Sequence, residues 1–526
     1  MSENIYQTCQ AEYPDGNQTV LLECISNTLE GAAISKGEDL RSFLFIVAGA
    51  MIFMMQSGFA MLCAGSVRLK NVQNTMLKNL LDACGAAVAF YLVGYAFAFG
   101  GQHETTATTF IGTTSFAQID HAGFWFFQYT FSATSTTIVA GTLAERCQMA
   151  AYLCYSLFLA GFVYPVVAHA LWSNNGFLSI GNVDPFLGVG VVDFAGSGVV
   201  HVTGGTTALF ATLILGPRRG RFYDAQGEPL ETPKPFPGHS VALQLLGTMI
   251  LWFGWFGFNP GSALGLSVPE YGEAAANAAV STGLAGAAGG ISALFTNLYL
   301  EERRTGEPHF SLLMAMNGTL SGLVAITSGC ALVEPWAAIV IGIVSGWIYI
   351  YSSALLVRVR IDDAVDAIPV HMFNGMWGVF ASGLLASPRL MQLCYHKDNH
   401  VGWFYSLGRG SFDAHLLGAQ VTAIAFITGW TFFTMFPFFI WLNYKGWFRA
   451  DSLEELVGLD ISYHGSMDFK EGGVKKEFVE AYKRHKGNIR ERRSNRRDTE
   501  TSWNNSAGHD PDMDSEAAAE EAMMEE

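Results

Sequence analysis

Eleven stretches of this chain are long, apolar and nearly free of charge: roughly residues 42–66, 79–100, 122–144, 149–171, 194–215, 241–260, 278–299, 310–332, 336–357, 364–386 and 415–440. Each is near the ~20 residues that a tilted helix needs to cross the hydrocarbon of a bilayer. The chain therefore reads as an all-α polytopic membrane protein with eleven transmembrane helices. Composition supports that class, since 50% of residues are hydrophobic, 14% are charged and mean hydropathy is +0.26. The 57 glycines, many inside apolar runs, suit helices packed closely through small residues.

Orientation follows from the loops, because Lys and Arg are retained on the cytoplasmic side. One alternate set of loops holds Arg68, Lys70, Lys78, Arg146, Arg218, Arg219, Arg221, Lys234, Arg303, Arg304, Arg358 and Arg360, while the other holds only Lys36, Arg41, Arg389, Lys397 and Arg409. The amino terminus is expected outside and the carboxyl tail in the cytosol. Residues 1–41 are polar, lack the pattern of a cleavable signal, and read as an extracellular segment before a transmembrane domain of residues 42–443. Cys9 and Cys24 lie in that segment and either pair as a disulfide or remain free thiols; Asn17-Gln-Thr19 is a glycosylation sequon. The formal charge of -16 comes largely from the chain ends, notably Glu516 to Glu526, and says nothing about the core. No nucleic-acid-reading motif, nucleophile elbow, phosphate loop or metal-ligand spacing is present, so nucleic-acid binding, enzymatic activity, a cofactor and a metal are not expected.

Two ionisable pairs sit in the apolar frame at matching positions. Asp193 opens the fifth run, His201 follows eight residues later and Gly205 four further; Asp363, His371 and Gly375 repeat that spacing in the tenth. An ionisable side chain at bilayer depth is costly and tends to face a bundle interior or cavity. One such histidine is usually a satisfied core residue, but two at the same offset point to a duplicated fold. An odd number of spans fits a five-plus-five inverted repeat with one extra helix, the arrangement that places solute sites near the midplane. His201 and His371 then face each other across a pseudo-twofold axis. Eight helical residues rise about 12 Å, so each Asp stands along the path from its histidine. Asp193 also suits a plain helix N-cap.

The motifs Phe127-Gln-Tyr-Thr-Phe131, Gly141-Thr-Leu-Ala-Glu-Arg146, Ala168-His-Ala-Leu-Trp172, Asp193 to Gly205, Trp255-Phe-Gly-Phe-Asn-Pro-Gly-Ser-Ala263 and Asp362-Asp-Ala-Val-Asp366 with His371 occur in that order. With them the chain resembles the ammonium transporters of the Amt/Mep/Rh superfamily, most closely the eukaryotic plant and algal type, over roughly residues 40–465. The resemblance implies transport of ammonium or ammonia at the plasma membrane. It implies an outer substrate site at Trp172, Phe131, Ser262 and Phe127 supported by Asp193, a gate of Phe131 and Phe258, a pore lined by His201 and His371, and a homotrimer. Two departures, Pro260 and the run Met372-Phe-Asn374, lead us to expect altered packing around span ten. Ammonium sensing and conduction of another small solute, such as water or carbon dioxide, are the competing readings.

After the last span, residues 444–469 resemble the family's cytosolic regulatory segment. Gly458-Leu-Asp-Ile-Ser462-Tyr-His-Gly465 matches its core, and Ser462 takes the place of the regulatory threonine. Residues 470–526 form a basic and then an acidic tail that reads as disordered. A protein kinase acting on Ser462 would add about -1.5 to -2 charge beside Asp451, Glu454, Glu455 and Asp460. The segment is expected to dock on loops carrying Arg146, Arg218 and Arg303, in the same subunit or a neighbour, so that this charge displaces it and closes the pore.

Overall fold

A computed structural model describes residues 2–14, 18–102, 107–265, 271–464, 479–484, 486–487 and 524. A helix stands at each of the eleven expected stretches: α1 Gln18–Ser66, α2 Leu69–Phe99, α3 Ala122–Thr142, α4 Met149–Trp172, α5 Ser197–Leu215, α6 Val241–Ser262, α7 Tyr271–Thr305, α8 Leu312–Ile326, α9 Pro335–Arg358, α10 residues 368–385 and α11 His415–Tyr444. Eight of these, α1, α2, α4, α5, α6, α7, α9 and α11, contain stretches both long and apolar enough to cross a membrane. No strand is formed among the described residues; the only β pairings there are isolated bridges. The chain is a multi-pass helical membrane protein.

Several helices outrun their apolar cores. α1 begins well before the first span, and a short helix, Ser2–Glu12, is tied to it by a disulfide between Cys9 and Cys24, whose Cα atoms are 5.9 Å apart. The two-way reading of those cysteines is thus resolved in favour of the bridge. α7 extends beyond 278–299 at both ends, where Glu273, Glu301, Arg303 and Arg304 are compatible with water and with helix alike. α8 stops earlier than expected, at Ile326, because residues 327–333 turn away to pack on the start of α5: Phe194 N–H donates to Ser328 O at 2.9 Å and Ser328 N–H to Ser197 Oγ at 2.6 Å. Asn17, most of 470–526 and the end of the 444–469 segment lie outside the described residues.

The helices pair as a duplicated bundle would. α1 packs along α6, the first helix of each expected half, and α5 crosses α10, the fifth of each. That second crossing explains the matched glycines. A Cβ at Gly205 would lie 2.8 Å from Met372 Cβ, and one at Gly375 would lie 2.7 Å from Ser197 O, so each helix needs a bare backbone where the other passes.

Candidate functional site

α5 and α10 both start with an aspartate cap and a wide π-helical turn. Asp193 Oδ2 accepts from the N–H groups of Gly198 at 2.9 Å and Val199 at 2.8 Å; Asp363 Oδ2 accepts from Ile368 N–H at 2.6 Å. The π turns, Ser197–Val202 and Ile368–Phe373, carry His201 and His371. Such turns leave backbone groups without their usual partners and often mark functional positions. In α10 the Asn374 side chain donates to Pro369 O at 2.9 Å, satisfying one freed carbonyl. The departure at Met372-Phe-Asn374 therefore belongs to the local repair of that turn.

The two imidazoles meet. Nδ1 of His201 and Nδ1 of His371 are 3.2 Å apart, and the rings lie near parallel at 19° with centroids 5.1 Å apart. His201 is fully buried and its Nε2 has no protein partner; His371 is 5% exposed. One nitrogen donates and the other accepts across the Nδ1 pair, so a neutral pair has a natural tautomer order. His169 is the contrasting case, with Nδ1 facing Ala98 O at 2.9 Å and Nε2 facing Thr109 Oγ1 at 2.8 Å, a satisfied core histidine.

Above the histidines runs a column of aromatic rings. His201 stacks on Phe258 at 5.7 Å, Phe258 lies 4.2 Å from Phe131, and Phe131 meets Trp172 edge-on at 5.7 Å and 87°. Trp172 is half-buried, and its indole N–H donates to the Asp193 carbonyl at 2.7 Å. Asp193 thus orients the tryptophan through its backbone while its carboxylate caps α5 from three residues before Gly196, which holds the N-cap position, so the expected capping is met from outside that position. Ser262 ends α6, and its hydroxyl donates to Phe258 O at 2.9 Å, leaving its oxygen lone pairs for another donor. Phe127 is buried against Phe131, with ring centroids 4.8 Å apart. Every residue expected at the outer site and gate falls in or beside this column. Sequence reasoning passed over Trp255, whose ring lies 5.6 Å from His201 and whose N–H donates to Thr327 Oγ1 at 3.1 Å, and Phe59, 6.1 Å from His371. Trp255 sits three residues before Phe258, on the same helical face, a spacing that would have found it; Phe59 carried no such signal.

The sequence profile of the Ammonium Transporter Family matches residues 42–469. The chain belongs to that family. It is 41% identical over 446 residues to Ammonium transporter 1 member 3 of Solanum lycopersicum, covering 81% of this chain and 92% of the relative. It is 39% identical over 429 residues to Ammonium transporter Amt2 of Archaeoglobus fulgidus, covering 81% and 87%. Among solved structures, one titled Sensor Amt Protein superposes with a TM-score of 0.68 at 30% identity over 81% of this chain and 98% of that one. Candida albicans Mep2 superposes with a TM-score of 0.66 at 26% identity over 78% and 86%.

In this family member the opposite end of the bundle is held by a buried ion network. Arg218 grips Asp362 with Nε at 2.8 Å and Nη2 at 2.9 Å, and reaches Glu145 with Nη1 at 3.2 Å. Arg68 closes on the other side of Glu145. Burial alone would raise both acids, but the guanidiniums outweigh it, holding Glu145 at about 2 and Asp362 well below the usual carboxylate range. The Asp362–Asp366 motif thus divides into an ion-pair acid, the helix-capping Asp363, and Asp366, which accepts from Tyr349 and Ser353 hydroxyls at 2.9 and 3.0 Å.

The segment after α11 is docked on two of the three expected loops, those carrying Arg146 and Arg218: Gln148 donates to Arg449 O at 2.6 Å, and Arg449 donates to Leu215 O at 2.8 Å and Pro217 O at 2.7 Å. Asp460 caps the second helix, accepting from Gln73 N–H at 2.9 Å and Asn74 N–H at 2.7 Å; Leu459 N–H donates to Asn71 Oδ1 at 2.9 Å, and Lys70 Nζ donates to Leu456 O. Glu455 pairs with Arg449 at 2.9 Å and accepts from Arg219 N–H at 2.7 Å. Of the expected docking loops, the one carrying Arg146 accepts from Ala450 N–H at Arg146 O, and the one carrying Arg218 meets Glu455 and Arg449 through Arg219 N–H and Pro217 O while the Arg218 side chain stays in the ion network; Arg303 lies over Tyr299. Ser462 is 6% exposed, and its hydroxyl donates to Gly458 O at 2.9 Å. The expected repulsion also changes in kind, since Glu455 and Asp460 already have partners.

Proposed function

We propose that this protein conducts ammonium or ammonia across the membrane along the column from Trp172 to His371. The observation that carries the reading is the imidazole pair at the base of an aromatic column. A bare ammonium-sized ion entering low dielectric has an idealised Born cost of order 20 kcal/mol. A cation–π contact offsets only about 0.5–2 kcal/mol of it. Recruitment at Trp172, Phe131 and Ser262, with Phe127 backing the ring and Asp193 holding the indole, therefore selects a small N–H donor cation but cannot carry it through. Below the Phe131–Phe258 gate, paired neutral imidazoles supply a donor and an acceptor to ammonia or to a proton handled separately. A potassium or sodium ion would find almost no oxygen ligands along this path.

On the same reading, eleven spans place the amino terminus outside the plasma membrane and residues 444–469 in the cytosol as a regulatory segment that a kinase modifies at Ser462 once the covered hydroxyl is released. The assembly is a homotrimer with one pore per subunit. Ammonium sensing is the second reading, favoured by the likeness to the structure titled Sensor Amt Protein. Expression in a yeast lacking its own ammonium uptake separates the two. Growth on low ammonium is the expected result, and absence of growth with normal surface expression would favour sensing.

A further inference from the structure

The loop between α10 and α11, together with the first residue of α11, carries a side-chain cluster that the conduction path does not use. His400 Nδ1 lies 2.6 Å from Asp413 Oδ2, and His415 Nδ1 lies 2.5 Å from Asp413 Oδ1, so both rings aim the same nitrogen at one carboxylate. The rings are 4.6 Å apart, and the donor atoms of all three residues lie within 4.8 Å of one another. We propose that His400, Asp413 and His415 form a binding site for one transition-metal dication of the zinc class.

Four features support this. The ligand set, two imidazoles and a carboxylate, matches the preference of zinc, copper and nickel and is poor for magnesium or calcium, which take oxygen. The cluster is prearranged: Asp413 is fixed by His415 N–H donating to its Oδ1 at 2.9 Å, and its own N–H donates to Ser406 Oγ at 3.0 Å. The geometry is within reach, because ligands at ~2.0–2.1 Å around a tetrahedral zinc stand about 3.3 Å apart. The present separations are hydrogen-bond lengths that need to open by less than about 1 Å on each side. The His415 side chain is 54% exposed and can make that movement, leaving a coordination position for water.

The site also has a structural reach. The loop donates Lys397 Nζ to Ile180 O at 2.6 Å, and His400 Nε2 faces Gly188. Five residues beyond His415, Gln420 clasps Val192 with its Nε2 at 2.6 Å from Val192 O and its Oε1 accepting from Val192 N–H at 2.9 Å. Metal binding would therefore pin α11 to the loop that ends at Asp193, the residue holding Trp172. None of the three ligands touches the histidine pair or the aromatic column, so ammonium uptake without added metal is unaffected by their replacement.

The test is zinc chloride titrated by calorimetry into the full-length protein purified in detergent, alongside His400→Ala, His415→Ala, the double variant and His309→Ala as a control at another exposed histidine. The parent and control should bind one zinc per chain. Each ligand variant should bind at least about tenfold more weakly, a loss that even ligand-supporting groups produce at metal sites. Copper in the parent should give an electron paramagnetic resonance signal split by two nitrogens, and by one in each single variant. Zinc affinity unchanged in the double variant, or no saturable binding by the parent, overturns the proposal.

Discussion

Replacing His201 with Glu should convert the pore from ammonium-selective to potassium-permeable. The two Nδ1 atoms are 3.2 Å apart, so a carboxylate at 201 places its charge about 4 Å from a cation seated beside His371. At an effective dielectric of 20 the attraction is about 4 kcal/mol, equivalent to roughly three decades of occupancy at about 1.4 kcal/mol per decade. That offsets only part of the Born cost of order 20 kcal/mol, and the remainder falls if the carboxylate draws water into the column. Potassium conduction should therefore appear where the parent has none, yet stay below that of a dedicated channel. The assay is voltage clamp of expressing oocytes, with ammonium and then potassium as the external cation, and with His201→Gln as the neutral control. Potassium current in His201→Glu and none in the control supports the electrostatic account. Unchanged ion preference in both, at matched surface expression, would refute it, and equal potassium current in both would mean that pore width selects.

Trp172→Leu removes the aromatic face and the indole donor to Asp193 while keeping an apolar side chain. Apparent methylammonium affinity should fall about tenfold, the ~1.4 kcal/mol expected within the cation–π range, with surface expression retained. Arg218→Met removes the close partner of buried Asp362, leaving it Arg146 at 4.0 Å and Arg221 at 3.9 Å, and leaves Glu145 with Arg68 alone. It should cost about 3–5 kcal/mol, read as a lowered melting midpoint that Glu145→Gln with Asp362→Asn partly restores. Because Glu145 is held at about 2 against an ordinary 4.5, its contribution is complete above the ordinary value and is lost as pH falls towards the folded one. The midpoint should accordingly drop more steeply between those values in the parent than in Glu145→Gln. Ser462→Ala gives up one hydrogen bond to Gly458 O, worth about 1 kcal/mol, whereas Ser462→Asp forces a charge into a covered position. Uptake at matched surface levels should be near normal for Ala and abolished for Asp; equal uptake would remove Ser462 as a switch.

The helices were legible because hydrocarbon demands long uninterrupted apolar runs, and all eleven runs became helices. Their ends were not, since helix continues into water wherever polar residues still favour it, as at both ends of α7. The meeting of His201 and His371 was readable from spacing alone, because a duplicated offset is a geometric statement about two equivalent helices. What spacing could not convey was the π turn that carries each histidine. The docking of the tail was half visible: its acids were noted, but besides the Arg449 side chain their partners include backbone N–H groups at Gln73, Asn74 and Arg219, and a backbone group leaves no trace in a residue pattern. The loops carrying Arg146 and Arg218 do receive the segment, but the Arg218 side chain itself is spent on Glu145 and Asp362.

Ser462 is covered by its own segment and by residues of the tail beyond it, and that decides the order of events in any modification there. Tyr482 and Lys486 both reach its carbonyl, at 3.4 and 3.2 Å. An enzyme needs an extended, open stretch, so it meets only those copies whose segment has already lifted off. Phosphate then acts as a pawl on a ratchet: it does not lever the segment away but keeps a departed one from returning. The modification rate is set by how often the latch opens spontaneously, falling tenfold for every ~1.4 kcal/mol of docking strength. Substitutions such as Asp460→Ala, which weaken the docking without removing the hydroxyl, would then hasten its modification as surely as raising the enzyme's concentration.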